Sequence, residues 1–309
     1  MRLGLDVGGT KTDAVAVAPN GTIVARTRLA TGWGPDAVVQ TILDAVANLQ
    51  ADPALTAADV RSVGIGIPGR IEPGSGRVEH AVNLGVETLD LAAAVAPVLG
   101  VPVRVENDVK AAALGAASLR GGTLSMGYLN LGTGIAAAIV TGGVLWRGAR
   151  GGAGEIGHLS IDPAGPVCRC GQRGCIEALA GGGAVSARWG RPGALPIRDV
   201  FDAADGGDAA AVLGRTDLAR GVAAAIRVLV LTADVDTVVL GGGITALGTR
   251  LQSEVAAQLE ASARESAFLR SLQLVDRVEI LPAGAPAAAL GAALIGTEAA
   301  DEREVLSHG

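Results

Sequence analysis

The chain has 309 residues, 49% of them hydrophobic, a formal net charge of −6, and only three Trp, two Phe and one Tyr. That length allows two domains with sizeable cores, built mostly from Ala, Val, Leu and Ile, and the 46 glycines mark many tight turns. No block of Lys and Arg occurs and aromatic platforms are missing, which argues against nucleic acid or an anionic membrane surface as partners.

The amino end, MRLGLDVGGT, reads as a strand entering a turn and lacks the layout of a signal peptide. No uncharged apolar run reaches the roughly 18 residues of a spanning helix, so a cytoplasmic location is expected. From Leu3, LGLDVGGTKTDAVAVAPNGTIVA reads as strand, Gly/Thr turn, strand, turn and strand. A helical stretch follows over 34–50, with Pro35 and Asp36 suiting a helix start. SVGIGIPG, within 60–68, reads as a buried strand. Residues 89–99 form a helix ending near Gly100, and 101–105 a short strand. Asn107 and Asp108 open the helix VKAAALGAASL.

The second half begins after Gly121–Gly122 with GYLNLGTGIAAAIVTGGVLWRG, which repeats the first pattern. Leu5-Asp6-Val7-Gly8 lines up with Leu129-Asn130-Leu131-Gly132. Two similar units a hundred residues apart suggest duplicated α/β domains facing each other rather than a solenoid. Helices are expected over 178–187, 197–206 and 208–231. Strands are expected over 235–240 and 278–281, and an Ala-rich closing helix over 286–298 that packs back on the first domain. The domains are placed at 1–119 plus 286–309, smaller and N-terminal, and at 120–285, larger and C-terminal. The polar tail 301–309 is expected to fray.

All three cysteines, Cys168, Cys170 and Cys175, lie within eight residues, and His158 precedes the first by ten. Three thiolates and one imidazole make a complete tetrahedral ligand set for a structural zinc, and an odd cluster suits a metal better than a disulfide framework. With no position left open, such a zinc would shape the loop and not act as a Lewis acid. His80 and His308 have no such context.

Asp6, Gly8, Gly9, Thr10 and Lys11 form a turn whose bare backbone can approach phosphate oxygens. There Thr10 adds a hydroxyl, Lys11 a charge, and Asp6 a carboxylate for Mg²⁺. Gly132, Thr133 and Gly134 form its counterpart, and Gly241, Gly242 and Gly243 offer bare backbone to an adenosine. A turn alone accounts for each triplet equally well, and none matches a P-loop or a dinucleotide fingerprint. Glu106-Asn107-Asp108 stands at a strand-to-helix junction. Asn107 and Asp108 are either a helix cap or, for Asp108, a general base for an alcohol attacking phosphorus. Glu155 and His158 are polar residues of a surface loop or, with one imidazole nitrogen on zinc and the other free, ligands for a hydroxyl. Glu177 is either a first-turn carboxylate favoured by the helix dipole or a sugar-hydroxyl acceptor.

In order along the chain, DVGGTK, ENDVKAAALG, LGTGI, GEIGH, CRCGQRGCIE, LGGGI and LGAAL resemble the patterns of the ROK family of bacterial sugar kinases, repressors and open reading frames. The resemblance spans essentially the whole chain, and GEIGH with the cysteine loop is its most specific part. It implies a pair of actin-like, RNase H-like α/β domains with a cleft between them. It implies transfer of the ATP γ-phosphate, with Mg²⁺, to the 6-hydroxyl of a hexose, in the manner of a glucokinase, or to an N-acetylglucosamine or N-acetylmannosamine. Asp108 would match the catalytic base. Gly69, Arg70, Asn83, Asn107, Asp108, Glu155, His158 and Glu177 would match sugar ligands. A homodimer is a family expectation. Family repressors carry a helix-turn-helix before the DxGGT segment, which here starts at residue 6, so an enzyme is expected in preference to a repressor or a sugar-sensing module. Family glucokinases often carry a Trp shortly after Asn-Leu, where Asn83-Leu84-Gly85-Val86 stands here. A further Gly often follows GTGI, where Ala136 stands. The usual Ser-Gly after the cysteine loop is replaced by Ala180-Gly181-Gly182-Gly183. Arg70 resembles the Gly-Arg of some N-acetylmannosamine kinases.

Overall fold

The structure, a computed structural model, describes residues 1–55, 60–72, 74–121, 125–191, 193 and 195–296. The chain divides into two compact units, Met1–Thr123 with Gly142–Ala153 and Pro286–Gly309, and Leu124–Thr141 with Gly154–Ala285. The sequence placed all of 120–285 in the second unit. The structure assigns Gly142–Ala153 to the first, because polar side chains there hold that segment, as described below. The expected tail at 301–309, His308 and the last residues of the closing helix lie outside the described residues.

The first unit holds strands β1 (Arg2–Val7), β2 (Lys11–Val17), β3 (Ile23–Ala30) and β4 (Ser62–Ile67). Next come β5 (Arg70–Ile71), β6 (Arg77–Ala81), β7 (Val86–Asp90) and β8 (Val103–Asn107). Its helices are α1 (Pro35–Gln50), α2 (Leu91–Leu99) and α3 (Asp108–Leu119). The strand order of the main sheet is β3-β2-β1-β4-β8, and β5-β6-β7 form a small separate sheet. That small sheet was not foreseen: its strands are two to five residues long, and short polar strands carry almost no period.

The second unit holds β9 (Met126–Leu131) and β10 (Ile135–Thr141). The short β11 (Val144–Leu145) belongs to the first-unit segment. Then follow α4 (Ile176–Ala180), α5 (Gly182–Trp189), α6 (Pro196–Asp205), α7 (Ala209–Ala233), β12 (Thr237–Gly241), α8 (Thr249–Glu265), α9 (Ala267–Ser271) and β13 (Val278–Ile280). In the first unit β1 is antiparallel to β2 and parallel to β4, which is parallel to β8. In the second, β9 is antiparallel to β10 and parallel to β12, which is parallel to β13. The two halves therefore repeat one strand order, and the register agrees with the sequence alignment. Asp6 sits beside Gly66 of β4, and Asn130 sits beside Gly241 of β12.

Helix α10 (Ala287–Ile295) returns to the first unit. It packs on β1, β4 and α3 through small residues. A Cβ on Gly64 would lie 1.7 Å from the Ala292 carbonyl oxygen, one on Gly115 1.8 Å from that of Ala287, and one on Gly291 1.7 Å from that of Ala111. Backbone here packs against backbone, so a single methyl has nowhere to go.

Gly64→Ala is expected to lower stability by about 1–3 kcal/mol or more, the cost of overpacking a tight core. Gly152→Ala, which meets nothing within 4 Å, should be close to neutral. Urea unfolding of the two variants checks the contrast, and an unchanged midpoint for Gly64→Ala would sink the packing account.

Candidate functional site

The first unit gathers its chemistry at the carboxyl ends of β1, β4 and β8. Across these strands Asp6 pairs in register with Gly66, and Gly66 with Glu106. Gly66 lets α3 come close: a Cβ there would lie 3.0 Å from that of Ala111 and 3.6 Å from the Asp108 Cα. The start of α3 is thereby brought beside the strand carrying Asp6. Asn107 caps α3, its side-chain oxygen accepting from the Val109 and Lys110 amides at 3.0 and 3.3 Å. Its Nδ2 donates to the Gly69 carbonyl at 3.2 Å. The cap reading of Asn107 therefore holds, and one of its amide protons ties the helix to the segment carrying Arg70.

Asp6 lies part-buried among like charges. Burial, and then the carboxylates of Asp108 and Asp13, push its carboxyl from the usual range up to about 7, against the pull of the Lys11 ammonium. Asp13 is itself ion-paired with Arg28 at 2.7 Å and Arg26 at 3.4 Å. A carboxyl held above its normal range by burial and then by neighbouring anions is short of positive charge, and that is a setting a hard divalent cation would relieve. Gly8 closes the hairpin with its amide on the Lys11 carbonyl at 2.9 Å, and Gly9, Thr10 and Lys11 are exposed at its tip. The Asn83 backbone packs on that tip, leaving 2.9 Å between its carbonyl oxygen and a Cβ on Gly9.

Arg70 is not free: it makes two bonds to one Glu79 oxygen, at 2.9 and 2.5 Å. Asn83 is exposed in the turn Val82–Leu84. His80 is exposed and paired with Glu87 at 2.9 Å. Three residues to which the sequence reading gave no role anchor 142–153 to the end of β8 and the first turn of α3. Buried Glu106 accepts from Arg147 Nε at 2.7 Å, and buried Lys110 donates to the Gly151 carbonyl. Their partners lie about forty positions away, beyond the reach of a local pattern.

In the second unit, residues 154–158 run along the start of β10. The Ala137 amide donates to the Gly154 carbonyl at 2.8 Å, and a Cβ on Gly157 would lie 2.0 Å from the Ile135 carbonyl oxygen. Glu177, at the start of α4, accepts from the Ile135 amide at 3.0 Å and meets Arg169 at 3.4 Å. It also abuts Gly134, where a Cβ would sit 2.4 Å from its oxygen. The Gly132–Gly134 turn, His158 and Glu177 are thus brought together, and Glu155 is exposed beside them. Gly182 and Gly183, opening α5, donate to the Gly132 and Thr133 carbonyls. Gly242, with φ +87, starts the turn after β12 and lies against Leu131 and Asn130. A cavity of about 390 Å³ has Thr133, Arg169, Glu177, Ala184 and Arg188 in its wall.

The four sulfur and nitrogen ligand atoms of His158, Cys168, Cys170 and Cys175 all lie within 4.8 Å of one another. His158 Nδ1 is 3.8 Å from Cys168 Sγ, and Cys170 and Cys175 Sγ are 3.7 Å apart. A tetrahedron with metal–sulfur bonds of about 2.3 Å has edges of about 3.8 Å, so the donor set fits zinc. Burial, reinforced by the other two cysteines, pushes the Cys175 thiol up to about 12, while the Gln172 backbone and side chain pull Cys170 down to about 6. Cys175 can be a thiolate there only beside a compensating cation. Binding through Nδ1 would leave His158 Nε2 free for a second partner.

The model of the ROK family matches residues 2–298. The chain is 31% identical to the glucokinase of Halalkalibacterium halodurans over 84% of its own length and 86% of that protein's. It is 34% identical to the N-acetylmannosamine kinase of Vibrio cholerae over 78% and 83%. The crystal structure of a ROK family glucokinase from Streptomyces griseus, in complex with glucose and AMPPNP, superposes with a TM-score of 0.74, at 28% identity, covering 96% of this chain and 99% of that one. With the family matching nearly the whole chain and two α/β units repeating one strand order, the chain belongs to the ROK family and has its actin-like, RNase H-like fold.

Proposed function

We propose that the protein is an ATP-dependent sugar kinase that transfers the γ-phosphate to the 6-hydroxyl of a hexose. The observation that carries this reading is the pairing of Asp108, at the start of α3, with Asp6 of the glycine hairpin, close enough for the charge of one to raise the other. A base for the attacking hydroxyl and a carboxylate for the phosphate's cation are the two groups that phosphoryl transfer needs side by side. The glucokinase and N-acetylmannosamine kinase likenesses and the glucose and AMPPNP held by the Streptomyces griseus enzyme support the same reading.

In this mechanism Asp108 accepts the proton of the sugar hydroxyl as its oxygen attacks phosphorus. The backbone of Gly8 and Gly9, the Thr10 hydroxyl and the Lys11 ammonium hold phosphate oxygens. Asp6 would hold Mg²⁺, which when bound supplies charge neutralisation on the transferred phosphoryl group. Gly132–Gly134 would grip phosphate from the second unit, and Gly241–Gly243 would back the adenosine. Gly69, Arg70, Asn83 and Asn107 of the first unit, and Glu155, His158 and Glu177 of the second, would bind sugar hydroxyls. The Arg70–Glu79 and Glu177–Ile135 bonds give two of these residues fixed positions from which to do so. His158, Cys168, Cys170 and Cys175 would hold a structural zinc that keeps His158 and Glu177 in place. A second reading, an N-acetylhexosamine kinase, is favoured by the Gly69-Arg70 pair and by the N-acetylmannosamine kinase likeness.

An assay of sugar phosphate formation over hexoses and N-acetylhexosamines, with ATP and polyphosphate as donors and ADP release followed for the ATP arm, tests the reading; silence on the whole panel would end it. Asp108→Ala should cut kcat at least about a hundredfold while sugar still binds. Metal analysis should find about one zinc per chain, with Cys168→Ala losing both the metal and activity; a fully active zinc-free preparation would refute the zinc assignment. Asp6→Asn should lose activity yet gain stability in a pH-dependent way. Folded Asp6 keeps its proton to about pH 7, whereas the unfolded chain releases it near 3.8. Wild-type stability from this group therefore declines as pH rises through that window, and Asn has nothing to lose. The advantage of Asp6→Asn, measured by melting without Mg²⁺ or nucleotide, should be absent near pH 4 and reach a few kcal/mol at most above pH 7. A constant difference at all pH values would contradict it.

A further inference from the structure

We infer that Trp33 contacts the sugar directly, its indole packing on the C–H surface of the acceptor; this rests on the sugar-kinase reading. Trp33 is 70% exposed, yet the loop that carries it is tied down on several sides. The Thr31 amide donates to the Thr10 carbonyl at 3.2 Å, in the phosphate hairpin. The Thr31 and Thr12 hydroxyls meet at 2.9 Å, and the Gly32 amide donates to the Thr41 hydroxyl at 3.1 Å. The Gly34 amide donates to the Leu84 carbonyl at 2.8 Å. A backbone tied at these points presents its large apolar ring from a fixed position, which is the arrangement that lowers the ordering cost of binding.

The ring stands in a defined place. Its Nε1–Cε2 edge lies against Gly85, where a Cβ would come within 2.6 Å of both atoms. Gly85 has φ +68, so glycine suits this position twice over. Two residues before it, Asn83 is exposed and its backbone touches Gly9 of the phosphate hairpin. The same strand end reaches the base: a Cβ on Gly69 would lie 2.6 Å from the Glu79 carbonyl and 3.2 Å from the Ala81 amide, and Gly69 itself accepts from Asn107, next to Asp108. Trp33, Asn83, Gly69 and Asn107 therefore follow one another around a single rim. A pyranose has hydroxyls at its edge and C–H groups on its faces, so an amide beside an aromatic ring matches both surfaces.

Steady-state kinetics of Trp33→Ala and Trp33→Phe test this on whichever sugar the wild type phosphorylates. Trp33→Ala should raise KM for the sugar at least about tenfold, with kcat and the KM for ATP within about threefold, and Trp33→Phe should recover most of the loss. Trp146→Ala, at another exposed tryptophan (57%), should leave both KM values unchanged. Sugar binding should also change the tryptophan fluorescence of the wild type, and Trp33→Phe should abolish the change. A sugar KM within twofold of wild type for Trp33→Ala, or a fluorescence change that survives in Trp33→Phe, overturns the assignment of Trp33 alone. A wild type that turns over no sugar overturns the kinase reading and this inference with it.

Discussion

The first unit depends on how closely backbone approaches backbone around α3. Helices of ordinary composition pack about 8–10 Å apart because side chains separate them. Here Gly64, Gly115 and Gly291 remove the separators, and carbonyl oxygens of α3 and α10 fill the space where methyl groups would be. In a chain with so few aromatic residues, precision of this kind has to come from small ones. Each contact is weak by itself, but many at van der Waals distance hold α3 rigidly. The position of α3 in turn decides everything at its first turn. The Asn107 cap, the Glu106 and Lys110 anchors and the closeness of Asp108 to Asp6 all follow from it.

The second unit has the same strand order but solves its problem differently. At the place corresponding to Asp6 it has Asn130, a neutral side chain, beside Gly241. Only the first hairpin therefore carries a carboxylate at that strand position. The second turn is instead shaped from behind. Glu177 fills the space beside Gly134 and binds the Ile135 amide, and it extends from the helix that begins directly after Cys175. A duplicated topology has thus been divided between two kinds of chemistry. In one, a helix terminus sets the proposed acid–base groups; in the other, a glutamate beside the cysteine loop shapes the proposed phosphate turn.

What could be read in the sequence was whatever is encoded locally. The duplicated strand–turn–strand pattern, the α1 and α3 starts and the cysteine spacing each depend on residues within a few positions of one another. Helix α7 was legible for the same reason as a long run, and strand β12 as a short apolar run entering glycines. The small β5-β6-β7 sheet was not, because its strands are too short to show a period, and the placement of 142–153 was not, because it depends on pairs distant in sequence, such as Arg147 with Glu106. Asn107 shows the middle case. Its capping role follows from its type and position, whereas its bond to Gly69, thirty-eight residues away, appears only once the chain has folded. Trp33 went unremarked for a related reason: a single aromatic between two glycines has no periodicity, and its setting is supplied by the 82–85 turn.

The closeness of Asp6 and Asp108 has a consequence for how the proposed reaction is timed. Burial first, and then the charge of Asp108, leave Asp6 half-protonated near neutral pH, and a neutral acid exerts no repulsion on its neighbour. Nucleotide entering with its cation would expel the Asp6 proton, since a cation reverses the local preference from neutral to ionised. Binding of the donor is then linked to proton release, and nucleotide affinity should fall as pH drops through about 7. The same cation would screen Asp6 from Asp108, so the base keeps a compensated neighbour when the alcohol arrives. A pair of acids that would be a liability in an empty site becomes a means of coupling the donor's arrival to the readiness of the base.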